Sequence, residues 1–249
     1  MKGAVILTAS EGSFPGLADA LRERAVEVLE RPLIGFAAPS DWGPLDAALD
    51  RASSYRAIAF TSPRAGKAVT DRVRARGIPW PQNPGPTVWA AGQATAASLE
   101  EWLGSAHLPE GAEQESDGAA AQLARAMVAA RVTGPVLFPC GDRRRDELPS
   151  VLGTAGIRVD EVVCYRTVLA QPSEARAAAS EGALLVVASP SVIELLARVC
   201  PPGERPDLVA VGPTTAARAR DAGWLPAAVA DQPTADGVLE AITDLLARR

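Results

Sequence analysis

The sequence predicts an α/β protein made of two similar doubly wound parallel sheets, the second inserted into the first. Three observations predict it. Short β-branched runs alternate with Ala/Leu/Arg-rich stretches of helical length along the whole chain, the pattern of parallel sheets covered by helices on both faces. The chain repeats itself internally. The matching segments of that repeat occur out of order, so one half is interrupted by the other.

The expected strands, in order, are Val5–Thr8, Val26–Leu29, Ala57–Phe60, Thr87–Ala90, Val136–Pro139, Val159–Val163, Leu184–Ala188 and Leu208–Val211. Each is a run of four or five residues rich in aliphatic side chains, as strands of a helix-covered sheet are. The helical patterns between them are Leu17–Arg24, Pro63–Arg76, Ala94–Trp102, Gly118–Ala130, Asp146–Ala155, Ser191–Val199, Thr214–Ala222 and Ala235–Ala247. Several open on Ser-Pro or Gly-Pro. Proline suits the first helical turn because that position needs no N–H partner.

Phe60-Thr61-Ser62-Pro63-Arg64 resembles Val187-Ala188-Ser189-Pro190-Ser191, and Ala90-Ala91-Gly92-Gln93-Ala94-Thr95-Ala96-Ala97 resembles Ala210-Val211-Gly212-Pro213-Thr214-Thr215-Ala216-Ala217. Ser116-Asp117-Gly118 answers Ala235-Asp236-Gly237. Gly92 precedes Gly118 by 26 residues and Gly212 precedes Gly237 by 25, so residue type and spacing agree together. Val136–Val168 matches Val5–Ile34 in kind. One domain is therefore expected from residues 1–36 and 168–249, with residues 37–167 inserted as the second. Two β-prone crossings, about Leu29–Ala37 and Val162–Gln171, are expected to pair as a short ladder. A cleft between two such lobes is a favoured ligand site.

Composition narrows the chemistry. Three scattered cysteines, Cys140, Cys164 and Cys200, lack the spacing of a disulfide framework or zinc site, and they read as small buried hydrophobes. The single histidine, His107, reads as a solvated loop residue. The site is thus expected to work without metal or cofactor. A net charge of −5 argues against nucleic acid as a partner. Val5-Ile6-Leu7, soon followed by Glu11, is too short for a signal core or membrane span. A cytoplasmic protein with no membrane partner is expected. No GxxxxGK[ST] or strand-linked GxGxxG is present, so nucleotide readings lose support.

Four strand-to-helix turns stand out: Thr61-Ser62-Pro63, Gly92-Gln93-Ala94-Thr95, Ser189-Pro190-Ser191 and Gly212-Pro213-Thr214-Thr215. Any one reads equally well as a plain helix cap. Four at corresponding strand ends form a set able to hold anions through backbone N–H groups. Gly141-Asp142-Arg143-Arg144-Arg145-Asp146 reads either as a basic lip at a cleft or as a solvated helix start. Tyr165 follows Val162-Val163-Cys164. Strand alternation puts it on the face of Val163, opposite Cys164 and Arg166, as a packing tyrosine or a proton donor.

Together these segments resemble the uroporphyrinogen-III synthase family over essentially the whole chain. The elements that carry the resemblance are Phe60-Thr61-Ser62-Pro63-Arg64-Ala65, Gly92-Gln93-Ala94-Thr95-Ala96, and Leu137-Phe138-Pro139 with Gly141-Asp142. Val162–Tyr165 with Arg166-Thr167-Val168, Ala188-Ser189-Pro190-Ser191, and Val211-Gly212-Pro213-Thr214-Thr215-Ala216 complete them. Each is weak alone, and their order and spacing are specific. Two positions depart from the family: Thr8-Ala9-Ser10 stands where members often read Thr-Arg-Pro, and Cys140 where they often have arginine.

The resemblance implies two flavodoxin-like domains and a cofactor-free, monomeric enzyme. Its substrate would be hydroxymethylbilane, a linear tetrapyrrole bearing eight carboxylates, received by transient handover from the bilane-forming enzyme. Closure would lose water and invert the last ring through a spiro intermediate. Tyr165 is then the candidate acid. Thr61, Ser62, Arg64, Gly92, Gln93, Gly141, Ser189, Ser191, Gly212, Thr214 and Thr215 are the candidate substrate-binding positions. The competing expectation is a bilobed, non-catalytic sensor of tetrapyrroles or other polyanions. An exported binding protein would need a signal segment.

Overall fold

The structure, a computed structural model, describes residues 4–79, 85–99, 103–110 and 118–248. The expected motif Ser116-Asp117 and the end of the expected helix Ala94–Trp102 lie outside them. The chain divides into two compact units, Met1–Phe36 with Val168–Arg249, and Ala37–Thr167.

In the discontinuous unit, strands β1 (Ala4–Leu7), β2 (Val28–Glu30), β8 (Gly182–Val187), β9 (Asp207–Val211) and β10 (Ala228–Ala230) form one sheet in the order β10-β9-β8-β1-β2. Every neighbouring pair is parallel. Read along the chain, this is the 2-1-3-4-5 order of doubly wound flavodoxin-like sheets. Helices α7 (Pro172–Glu181), α8 (Pro190–Val199) and α9 (Pro213–Asp221) pack on one face around Leu185, Ile193, Leu196 and Trp224. Helices α1 (Leu17–Arg22) and α10 (Ala235–Ala247) pack on the other around Leu21, Val186, Val238 and Ile242. Both faces of β1 are buried, which is why its sequence does not alternate.

The continuous unit repeats this plan. Strands β3 (Ile34–Ala37), β4 (Ala57–Phe60), β5 (Thr87–Ala90), β6 (Val136–Gly141) and β7 (Val159–Leu169) run in the order β3-β7-β6-β4-β5, with Ile34–Phe36 of β3 and the last two residues of β7 belonging to the chain segments of the other unit. Strands β4, β5, β6 and β7 are mutually parallel. Beyond β5, Trp89 makes a parallel bridge with His107, and their rings stack at 4.8 Å. The expected loop histidine thus extends the sheet where β10 stands in the other unit. Aligning β6, β7, β4 and β5 with β1, β2, β8 and β9 gives one strand order for both, reached by a permuted chain path. Helices α2 (Gly43–Asp50), α3 (Pro63–Arg76) and α4 (Gln93–Ala97) carry one core cluster, centred on Ile58, Phe60, Val69 and Leu99. Helices α5 (Ala119–Ala129) and α6 (Glu147–Thr154) carry the second, centred on Phe138, Met127 and Leu152.

Several elements differ from expectation. Strand β2 begins at Val28 because Val26 closes a turn, its N–H bonding Leu21 O at 3.1 Å. The sequence pattern gives no α2, α7 or β10. Within its described residues α4 is a single short turn rather than the start of a long helix.

Candidate active site

Doubly wound sheets bind ligands outside the carboxyl ends of their strands, where the strand order reverses. In the continuous unit that point lies between β4 and β6. A cavity of about 250 Å³ opens there, lined by Thr61 and Ser62 after β4, Cys140 and Gly141 at the end of β6, Tyr165 on β7, and Arg144 and Arg145 before α6. Four expected site residues, Thr61, Ser62, Gly141 and Tyr165, therefore meet in one place. Arg144 and Arg145, which the sequence leaves undecided, join them.

A register shift between Cys140 and Gly141 aims the tyrosine. Cys140 pairs with Val163 and Gly141 with Tyr165, so β7 carries one extra residue. Such a bulge turns a side chain out of the regular alternation. Tyr165 consequently packs against the same core cluster as Cys164, not on the face of the exposed Val163. Its ring lies directly on Gly141: a Cβ built there would stand 2.6 Å from Cζ and 2.8 Å from Oη. Asp142 fastens the strand around it. Its N–H donates to Tyr165 O at 3.2 Å, and its Oδ1 accepts from Thr167 N–H at 2.8 Å.

The phenol and the Ser62 side chain line the same cavity. Burial pushes the Tyr165 pKa up, and the Ser62 contact and nearby Arg64 charge only partly offset that. At neutral pH the group is a neutral O–H donor. Ser62 also caps α3, its Oγ accepting Arg64 N–H at 3.2 Å. Packing around the Arg64 guanidinium lowers its pKa from the usual arginine value, against the pull of Tyr165. Arg144 pairs with Asp146 and Glu161, and Arg145 reaches Glu147 at 3.7 Å. Solvent reaches all of these pairs, which makes them individually weak, so an incoming carboxylate competes on near-equal terms.

Elsewhere the expected positions hold the strand ends but differ in detail. Gly92 is the N-cap of α4 with Gln93 exposed beside it. Ser189 is the N-cap of α8, yet its side chain makes no cap bond. Gly212 is the N-cap of α9 with φ 80°. Thr214 is exposed and Ser191 half-buried. Thr215 corrects its expected role: at 2% exposure its hydroxyl faces the interior, so only its backbone stays at the helix end. Thr95, its repeat partner, is buried likewise at 4%.

Other hollows suit a polyanion less well. A cavity of about 460 Å³ beside β10 and α10 is lined by Asp231, Asp236, Glu240 and Asp244, with Arg248. One of about 290 Å³ beyond β1 and β2 carries Glu11 and Glu30. Among the described residues no group of three or more His, Cys, Asp or Glu is placed to hold a metal ion, and no helix is long and apolar enough to cross a membrane.

Two buried thiols, Cys140 at the cavity wall and Cys164 in the core beside it, also predict a pH response. Burial pushes the Cys140 thiol up to about 11 and the Cys164 thiol up to about 12, from an ordinary 9.0. Unfolded chains release these protons first. The stability held by the neutral thiols is thus complete below pH 9.0 and lost as pH rises through the folded values. The unfolding free energy from urea titrations is expected to fall from about pH 9 upward, by at most about 1.4 kcal/mol per pH unit per thiol. Cys164→Ala should flatten the decline; an equally steep fall in that variant removes the thiol as its cause.

Comparison with known proteins agrees with this architecture. The sequence profile of the HEM4 family, described as uroporphyrinogen-III synthase HemD, matches residues 16–240. No curated protein matches. A mutant uroporphyrinogen III synthase from the extreme thermophile Thermus thermophilus superposes with a TM-score of 0.62 at 16% identity, covering 99% of this chain and 100% of that one. The uroporphyrinogen-III synthetase from Helicobacter pylori gives 0.62 at 18% identity, covering 98% and 99%. At such identities the two structures speak for the fold.

Proposed function

This chain belongs to the uroporphyrinogen-III synthase family, cyclising lyases of tetrapyrrole biosynthesis, and from that premise we propose that it closes hydroxymethylbilane with Tyr165 as proton donor. The observation that carries the assignment of roles is the cavity at the β4/β6 reversal, where a neutral phenol stands beside two arginines.

A pyrrole nitrogen supplies the electron pair that expels the terminal hydroxyl, and Tyr165 donates the proton that lets it leave as water. The resulting azafulvene is attacked by the far ring through its already substituted carbon, giving a spiro centre. Fragmentation and reclosure through the other position invert that ring, and the tyrosinate recovers a proton as the ring rearomatises. Atoms balance with one water lost. The protein's task is to bend the chain and hold its charges, which is catalysis by positioning and electrostatics.

Carboxylates of the bilane are held in the continuous unit by Arg144, Arg145 and Arg64, and by the N-terminal amides of α3. Gly92 and Gln93 provide a weaker end, since α4 has only five residues; in the discontinuous unit the N-termini of α8 and α9, with Ser189, Ser191, Gly212, Thr214 and the backbone of Thr215, are separate anion-binding positions. Transient handover from the bilane-forming enzyme, a monomeric state and a cytoplasmic location belong to the same proposal.

The test is a coupled assay with the bilane-forming enzyme, oxidising the products and reading the ratio of isomer III to isomer I. Uncatalysed closure gives isomer I. An excess of isomer III is expected, and isomer I alone overturns the proposal.

A further inference from the structure

We infer that the Asp142 carboxylate acts as a substitute backbone carbonyl, extending the β6–β7 ladder one rung past the bulge and making Asp142 a positioning residue for Tyr165. The inference rests on the reading of Tyr165 as proton donor. In a parallel pair, a residue donates its N–H to the residue before its partner and accepts, at its C=O, from the residue after. Up to the bulge β6 and β7 keep one offset, ending with Cys140 on Val163. Gly141 then pairs with Tyr165, one residue further along β7. The next rung falls to Asp142 and Arg166. Its first half is regular, the Asp142 N–H donating to Tyr165 O at 3.2 Å.

The second half is not. The main chain leaves the sheet at Asp142, since β6 ends at Gly141 and Gly141 O accepts Arg144 N–H at 3.2 Å in the turn that follows. The Thr167 N–H donates instead to the side-chain Oδ1 of Asp142 at 2.8 Å. One residue thus grips β7 on both sides of Arg166, with a charge-assisted bond on the far side. Together with the Gly141 pairing, these two bonds hold β7 in its shifted register, and that register aims the Tyr165 ring.

The internal repeat shows the ordinary arrangement. Strands β1 and β2 pair at one offset throughout, from Val5 with Val28 to Leu7 with Glu30. Main-chain carbonyls serve at that strand end: Leu7 O accepts Arg31 N–H and Thr8 O accepts Leu33 N–H, each at 2.9 Å. The discontinuous unit has no tyrosine, since Tyr55 and Tyr165 both lie in the continuous one. The shifted register and the side-chain rung occur together in the unit that has a phenol to aim.

The experiment compares Asp142→Ala with Asp142→Asn. Asparagine keeps an acceptor oxygen at the same reach and drops the charge, whereas alanine removes the acceptor. Asp142 is exposed, so both variants should fold, and a melting curve checks them. Asp142→Ala is expected to lower kcat about tenfold, part of the roughly 10²-fold typical of a 1 Å misplacement, with KM within about twofold. Asp142→Asn should restore most of it. In a Tyr165→Phe background Asp142→Ala should cost nothing further, because residues acting as one unit are not additive. Two readings need no turnover. With Tyr55→Phe as the parent, Tyr165 alone gives a ring signal in tyrosine-labelled NMR spectra. Asp142→Ala should shift that signal and strip the Thr167 amide of its protection from hydrogen exchange, while Asp142→Asn leaves both near wild type.

If Asp142→Asn is as harmful as Asp142→Ala, the charge itself is the active feature and the inference falls. A rise in KM at unchanged kcat, an equal loss in the Tyr165→Phe background, or an unmoved ring signal also overturns it. Wild-type turnover in Tyr165→Phe alone sinks the reading beneath it, while the ring signal and amide exchange still report whether Asp142 holds the strand.

Discussion

Tyr165→Phe is expected to slow turnover by about 10²-fold or more, the contribution typical of a positioned general acid, while product affinity stays near wild type. The substitution removes one oxygen and leaves the ring that packs on Gly141. Folding should therefore be nearly unaffected, and a melting curve checks this. The lost group is the donor that makes hydroxide a tolerable leaving group, so the loss should appear in kcat rather than KM. Isomer III should fall with it, as spontaneous closure to isomer I overtakes the slowed enzyme. Turnover equal to wild type takes Tyr165 out of the chemistry.

Gly141→Ala is the companion experiment, reaching the same phenol from below. The new methyl would stand 2.6 to 2.8 Å from Cζ, Cε2 and Oη of Tyr165, closer than nonbonded atoms pack. The ring is the far end of a side chain and can swing away, whereas the β6 backbone is held along its length by β7 and at Val136 and Leu137 also by β4. Tyr165 therefore moves and the strand stays. A misplacement of about 1 Å at a reacting group costs about 10²-fold, so activity should fall toward that of Tyr165→Phe with the fold intact. Retained activity with wild-type KM and kcat means that the phenol tolerates displacement, and that the seat is structural only.

The contrast between what the sequence announces and what it conceals has physical causes. Strands buried on both faces write themselves as unbroken apolar runs, so β1, β4, β8 and β9 are readable. Strand β10 has three residues, Ala228–Ala230, below any detectable period. Helix α7 is Ala-rich and polar, and its capping box uses Gln171 in place of the usual Ser or Thr; Glu174 three residues on is the signal that marks it. Helix α2 opens on Gly43-Pro44, which reads as a turn.

Site residues divide in the same way. Thr61, Ser62 and Gly141 are fixed by strand-end chemistry, and each lies where that chemistry puts it. The aim of Tyr165 depends on a bulge that exists only in the pairing of two strands, so alternation along β7 alone gives the wrong face. Arg144 and Arg145 reach the cavity through the turn before α6, and their acidic partners Glu161 and Glu147 come from different elements. A run of three arginines does not reveal which of them turn inward.

The permuted chain path has a bearing on synthesis. Strand β1 sits between β2 and β8, and the residues of β8 emerge from the ribosome only after the entire continuous unit. Until then the first two strands expose an unsatisfied edge, while Ala37–Thr167 already holds all the partners of its own central strand β4. Domains generally fold as units during translation. The continuous unit is thus expected to mature first on the nascent chain, and the N-terminal strands to wait for their missing neighbour, exposed to holdases and proteases in the interval.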